Sequence, residues 1–124
     1  MSKGIILAEL NAKGNIVWNK LQKIHPKLKR ITCPNIILNN RFTVTAGVAY
    51  QQERRIEMAT KFIIHSDKYY AIMFNVILPH ELAHIADYDL FGESNRKCGH
   101  GDNWKMIMLQ LGLKPDKFHP MRLK

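Results

Sequence analysis

The chain has 124 residues, 46% hydrophobic and 23% charged, with 19 Lys and Arg against 10 Asp and Glu. That size and balance fit a single globular domain spanning 1–124 and exclude disorder over the whole length. The formal charge of +9 favours polyanionic partners, DNA being one candidate beside RNA and acidic proteins.

At the N-terminus an apolar run, Ile5 to Ala8, stops at Glu9. A secretory leader needs a longer apolar stretch, and no later run approaches the length of a membrane span. No membrane association and a cytoplasmic location are therefore expected. The first predicted element is a helix through Val17, Trp18, Leu21 and Ile24, closed by Pro26. Lys20, Lys23 and Lys27 fall on its other side and are expected to be a solvated face.

Ile36 to Leu38, Val44 to Tyr50 and Arg55 to Ala59 then read as three short strands, with polar Asn39, Asn40 and Arg41 after the first. A three-stranded antiparallel sheet or meander is expected. Gly47 marks a bulge or a close backbone approach. Arg55 to Ala59 is expected at an edge where an extended peptide could pair. Cys33 and Cys98 are too few for a disulfide framework or a four-cysteine zinc module, and read as free thiols.

From Asp67 the pattern is helical again, with Tyr70, Met73, Phe74, Ile77 and Leu78 on one stripe. Pro79 must either kink this helix or lie in the first turn of a new one. Gly92 is the expected end. A last helix is predicted from Asp102, with Trp104, Ile107, Met108 and Leu111 spaced i, i+3, i+4, i+7 and Gly112 as its stop. Asp102 or Asn103 is the expected cap. Helix, strands, helix, helix is an α+β layout.

The chemistry is carried by His80-Glu81-Leu82-Ala83-His84. Histidines at i and i+4 share a helix face, so two imidazoles can each give one nitrogen to a single Zn2+. Glu81 is held beside the ion without binding it. It can take a proton from the water that zinc activates and deliver it to a leaving amine. This pattern points to metal-assisted hydrolysis with Zn2+ as cofactor. A polypeptide is the expected substrate, and the alternatives are a non-protein carbonyl substrate or a zinc-stabilised nucleic-acid-binding or regulatory module without protease activity.

Such a centre needs a third protein ligand. The metzincin spacing would put glycine at position 87 and histidine at position 90, whereas the sequence has Asp87 and Leu90. His100, between two glycines and just before a helix, is favoured over Glu93 and His119. Asp87 and Asp89 read either as hydrogen-bond partners of a ligand imidazole or as solvated acids. Trp104 reads as a core anchor before a pocket residue, and Tyr50 as an ordinary strand tyrosine before an oxyanion donor.

Pro79 to His84, followed by Gly99-His100-Gly101-Asp102-Asn103-Trp104-Lys105-Met106-Ile107-Met108, resembles the SprT-like metallopeptidases, which are related to the Spartan proteases. Thr45 to Tyr50 and Arg55 to Ala59 are similar to the strand region that precedes the family's active-site helix. The resemblance implies a small zincin-like fold of the minigluzincin type. It also implies zinc on His80, His84 and His100, and Glu81 as the catalytic residue. Members related to Spartan cleave proteins on DNA, which the resemblance makes an expectation here, and many SprT-like proteins carry a C-terminal cysteine-rich zinc ribbon. The two cysteines here could not build that ribbon, so a minimal form of the family is expected.

Overall fold

The computed structural model describes residues 2–92, 100–116 and 118–123. Helix α1 runs over Lys3–Ile24, well upstream of the predicted Val17 start. Ser2 caps it, its Oγ accepting from the Ile5 amide. The added turns continue the buried stripe through Ile6, Leu10 and Gly14 to Val17, Trp18 and Leu21. Lys20, Lys23 and Lys27 are exposed as expected, and Ile24 is about one-third exposed rather than buried. After Pro26–Leu28, a single 3-10 turn, the chain is fastened back onto α1. Trp18 Nε1 donates to the Ile31 carbonyl (2.8 Å), and Gln22 donates to the same carbonyl (3.0 Å).

Strands β1 (Asn35–Asn39), β2 (Gly47–Tyr50) and β3 (Arg55–Ala59) form one sheet in the order β1-β3-β2. The sheet is mixed, which corrects the antiparallel expectation: β1 pairs with β3 in parallel, Ile36 opposite Ile56, while β2 pairs with β3 antiparallel. Asn39, Asn40 and Arg41 do not turn β1 directly into β2. The seven residues 40–46 are long enough to cross two strand spacings of roughly 4.8 Å each, so β3 inserts between. A four-residue turn from β2 delivers β3 into that gap. Arg55 to Ala59 is therefore the central strand rather than an edge, and both its sides are already paired. It keeps the predicted alternation: Ile56 and Met58 are fully buried. Arg55 and Glu57 face away and pair through Nε and Oε2 at 3.0 Å.

The core fills the space between this sheet, α1 and the helix that carries His80 and His84, Leu78–Phe91. Gly14 lets α1 lie close on β1, because a Cβ there would fall 2.4 Å from Ile36 Cδ1. After a short turn of helix, α2 (Thr60–Ile63), α3 (Asp67–Ile72) starts on the Ser66 cap and runs into a π-helical turn over Met73–Ile77, which leads straight into α4 (Leu78–Phe91). Pro79 lies in the first turn of α4, the second of the two arrangements expected for it, and the π turn joins that helix to α3 without a break. A wider turn just ahead of the proline accommodates its ring and its missing donor without ending the helix. Gly92, at φ 76°, closes α4 as predicted, its amide donating to the Tyr88 carbonyl at 2.8 Å. Helix α5 spans Asp102–Gln110, and its cap is Gly101 rather than Asp102 or Asn103. No helix among the described residues is long and apolar enough to cross a membrane.

Candidate metal centre

Helix α4 brings His80, Glu81 and His84 to the wall of a cavity of about 480 Å³, and the segment just ahead of α5 (Asp102–Gln110) brings His100 to the same cavity. The three Nε2 atoms form a nearly equilateral triangle: His80 to His84 3.2 Å, His84 to His100 3.1 Å, His80 to His100 3.2 Å. Three such contacts cannot all be hydrogen bonds. Each nitrogen carries either a proton or a lone pair, so one contact at least would set like against like. A cation facing three lone pairs removes that conflict. Tetrahedral ligands about 2.0–2.1 Å from zinc stand roughly 3.3 Å apart, close to the separations here. The three histidines could thus hold a metal ion, and a neutral, all-nitrogen donor set suits zinc.

The electrostatics prepare the same state. Burial, then the neighbouring His100 and His119, pushes His80 down to about 4, so its imidazole is neutral and its lone pair available at pH 7. Glu81 is 7% exposed, and burial pushes its carboxyl up to about 8. Its Oε2 lies 3.8 Å from His80 Nε2. A nearby dication would draw that carboxyl back toward its charged, proton-accepting form.

Gly47 is a close approach, not a bulge. β2 stays in continuous register with β3, and a Cβ on Gly47 would sit 3.2 Å from Glu81 Cγ, Ile77 Cγ2 and Met58 Sδ. The strand thereby comes down onto the carboxylate and forms one wall of the cavity, from Ala46 to Ala49. Trp104 is fully buried as a core anchor, and it is also the platform under the imidazoles. Its ring stacks on His84 at 5.3 Å and 15°, and meets His80 and His100 at steep angles. Its Nε1 donates to the His80 carbonyl at 3.3 Å.

His119 lies on the cavity wall but outside the triangle, with both ring nitrogens engaged. Nδ1 accepts from the Met121 amide (3.1 Å), and Nε2 meets the Val44 carbonyl (2.9 Å). Glu93, the other competitor for third ligand, lies outside the described residues, as does Cys98. Cys33 is a half-buried free thiol, held up at about 11 mainly by burial. Asp87 is buried, at 3% exposure, so the solvated reading fails for it. Asp89 instead pairs with Arg54. Tyr50 does not line the cavity; the Arg55 guanidinium covers its ring at 4.3 Å.

Sequence reasoning missed two contributors. Gln51 lines the cavity and donates its side-chain amide to the His84 carbonyl at 2.9 Å, and Phe118 stands at the cavity's edge. Neither belongs to a spacing pattern, so no periodic signal could have marked them.

The SprT-like family model matches residues 17–122. The chain is similar to the curated proteins named Protein SprT. It is 32% identical to that of Actinobacillus succinogenes over 82 residues, 65% of this chain and 45% of the relative. To that of Glaesserella parasuis it is 33% identical over 75 residues, 60% and 44% of the two chains. To that of Pasteurella multocida it is 30% identical over 92 residues, 73% and 52%. The chain thus spans about half the length of these relatives. No solved structure matches it.

Proposed function

This chain belongs to the SprT-like family, and from that premise we propose that it is a zinc-dependent metallopeptidase. The observation that carries the reading is the triangle of His80, His84 and His100 nitrogens with buried Glu81 beside it, at the wall of an open cavity. His80, His84 and His100 would hold the ion. When bound, zinc supplies a Lewis acid that acidifies a water molecule and polarises the scissile carbonyl. Glu81 receives the proton at its carboxylate as the water oxygen bonds to the carbonyl carbon. It passes that proton to the amine as the C–N bond breaks. The burial that raises the Glu81 pKa suits it to both roles, since a base that must later act as an acid works best near the operating pH.

The substrate is a polypeptide. β2 spends one edge on β3, and no described strand pairs with the other, so an extended peptide could lie along it over the cavity. With β3 central, β2 takes the docking role first expected of Arg55 to Ala59. The charge of +9, with Lys20 and Lys23 exposed on α1 and Lys27 on the turn after it, supports a substrate held on DNA.

The test joins metal content to cleavage. Mass spectrometry should find one zinc per wild-type chain, and His100→Ala should lose it. Glu81→Gln should keep its zinc, yet cut a denatured protein at least about a thousandfold more slowly, with single-stranded DNA raising the wild-type rate. A wild type that takes up no zinc after reconstitution, or a Glu81→Gln variant as fast as wild type, sinks the peptidase reading. Zinc and DNA binding with no cleavage of any protein would favour a zinc-stabilised nucleic-acid-binding module.

A further inference from the structure

Among the described residues, the two most exposed large hydrophobic side chains are Phe118, at 87%, and Val44, at 77%. Both line the cavity that holds the histidines and Glu81, and no other strongly exposed large hydrophobic does. They are also tied to each other, because His119, next to Phe118, contacts the Val44 carbonyl through Nε2 at 2.9 Å.

Nor does Phe118 sit on a loose tail. The His119 ring packs edge-on against buried Phe62 at 5.2 Å, and Met121 is 1% exposed. Tyr69 Oη accepts from the Arg122 amide (2.9 Å) and donates to the Arg122 carbonyl (3.1 Å). The backbone that follows Phe118 is therefore pinned, and it leaves a bare aromatic ring in water at the mouth of the site. Exposed apolar surface of this kind, continuous with a reaction site, marks where a ligand's apolar surface is covered.

We propose that Val44 and Phe118 form an apolar jaw that selects a large apolar or aromatic side chain of the polypeptide substrate beside the scissile bond. The proposal rests on the peptidase reading and narrows its substrate class. In folded proteins such side chains are mostly buried. The jaw therefore directs the enzyme to unfolded or locally opened segments, which are also the segments able to lie extended along β2.

The experiment compares two sets of peptides, identical except that each carries Phe or Ala at successive positions around one bond. With the zinc-loaded wild type, kcat/KM should favour Phe over Ala at one position by roughly tenfold to a hundredfold, the range for burying such a side chain. Phe118→Ala and Val44→Ser should each shrink that ratio, Phe118→Ala to near unity. Phe91→Ala, at the far end of α4, should leave it unchanged. Binding of the same peptides to Glu81→Gln, read by fluorescence anisotropy, should show the same preference and the same loss when Phe118→Ala is added. A Phe-to-Ala ratio that survives Phe118→Ala in both assays overturns the jaw. So does a wild type with no preference at any position. If nothing is cleaved but the Phe118-dependent binding preference remains, the jaw stands and the peptidase reading falls.

Discussion

Glu81 is where the cost of this site is concentrated. A carboxyl in an unfolded chain titrates near 4.5, whereas burial holds Glu81 up at about 8 before any cation is present. Between those values the folded protein keeps a proton that the unfolded chain has released. Glu81 therefore makes the metal-free protein less stable as pH rises from 4.5 to 8. His80 acts in the opposite direction. Folding lowers it from 6.5 to about 4, so stability is lost as pH falls through that window. The two slopes oppose each other between 4.5 and 6.5, and above 6.5 Glu81 acts alone. In the presence of a chelator, urea unfolding should show a loss on the order of 1–2 kcal/mol from pH 6.5 to pH 8. Glu81→Gln should flatten that interval, and an equal slope in the variant would contradict the assignment.

The elements are held in register by a few side chains that cross between them. Arg54 has the one positive φ among described non-glycine residues, 52°, in the turn between β2 and β3. Its guanidinium pairs with Asp89 near the end of α4, donates to the Thr32 carbonyl and lies over the Trp18 ring at 5.5 Å. One residue thus ties the sheet's turn to α4, α1 and the segment before β1. The Asp89 side chain is only 9% exposed, so this pair is less screened than a surface ion pair. Arg54→Ala should cost about 1–3 kcal/mol in denaturant unfolding. Arg54→Gly relieves the left-handed backbone yet loses the same contacts, so it should remain destabilising. A glycine variant as stable as wild type would show that backbone strain, not the ties, governs this position. The π turn before Pro79 acts at the same scale, setting the rotation at which α4 presents His80 and His84.

For the molecule as a whole, the centre joins α4 to α5, which otherwise meet through Trp104 and its neighbours. A ligand that binds only the folded chain stabilises it by mass action. Free zinc at a hundredfold its dissociation constant should add about 2.7 kcal/mol, on the order of 10 °C in melting temperature. Calorimetry with and without chelator reads this directly. The gain should shrink in His100→Ala, which loses the ligand supplied from just ahead of α5; an undiminished gain would place the stabilising ion elsewhere.

Taken alone, the sequence determined the local features of this protein. The i, i+4 histidines with an acid between them, the apolar stripes of α4 and α5 and the glycine end of α4 are all short-range patterns, and helical geometry converts them directly into positions in space. His100 stood out for a similar reason, being an imidazole between glycines at a helix start. Strand order was decided only by tertiary structure. Alternation says which face of Arg55 to Ala59 is buried, but it carries nothing about neighbours, and residues 40–46 are as able to cross a strand as to form a turn. The upstream half of α1 was hidden because Ile6, Leu10 and Gly14 make a sparse stripe whose burial depends on β1 being there to receive it. Part of the cavity wall was equally illegible: Gln51 and Phe118 reach the site through long-range contacts that leave no period in the chain.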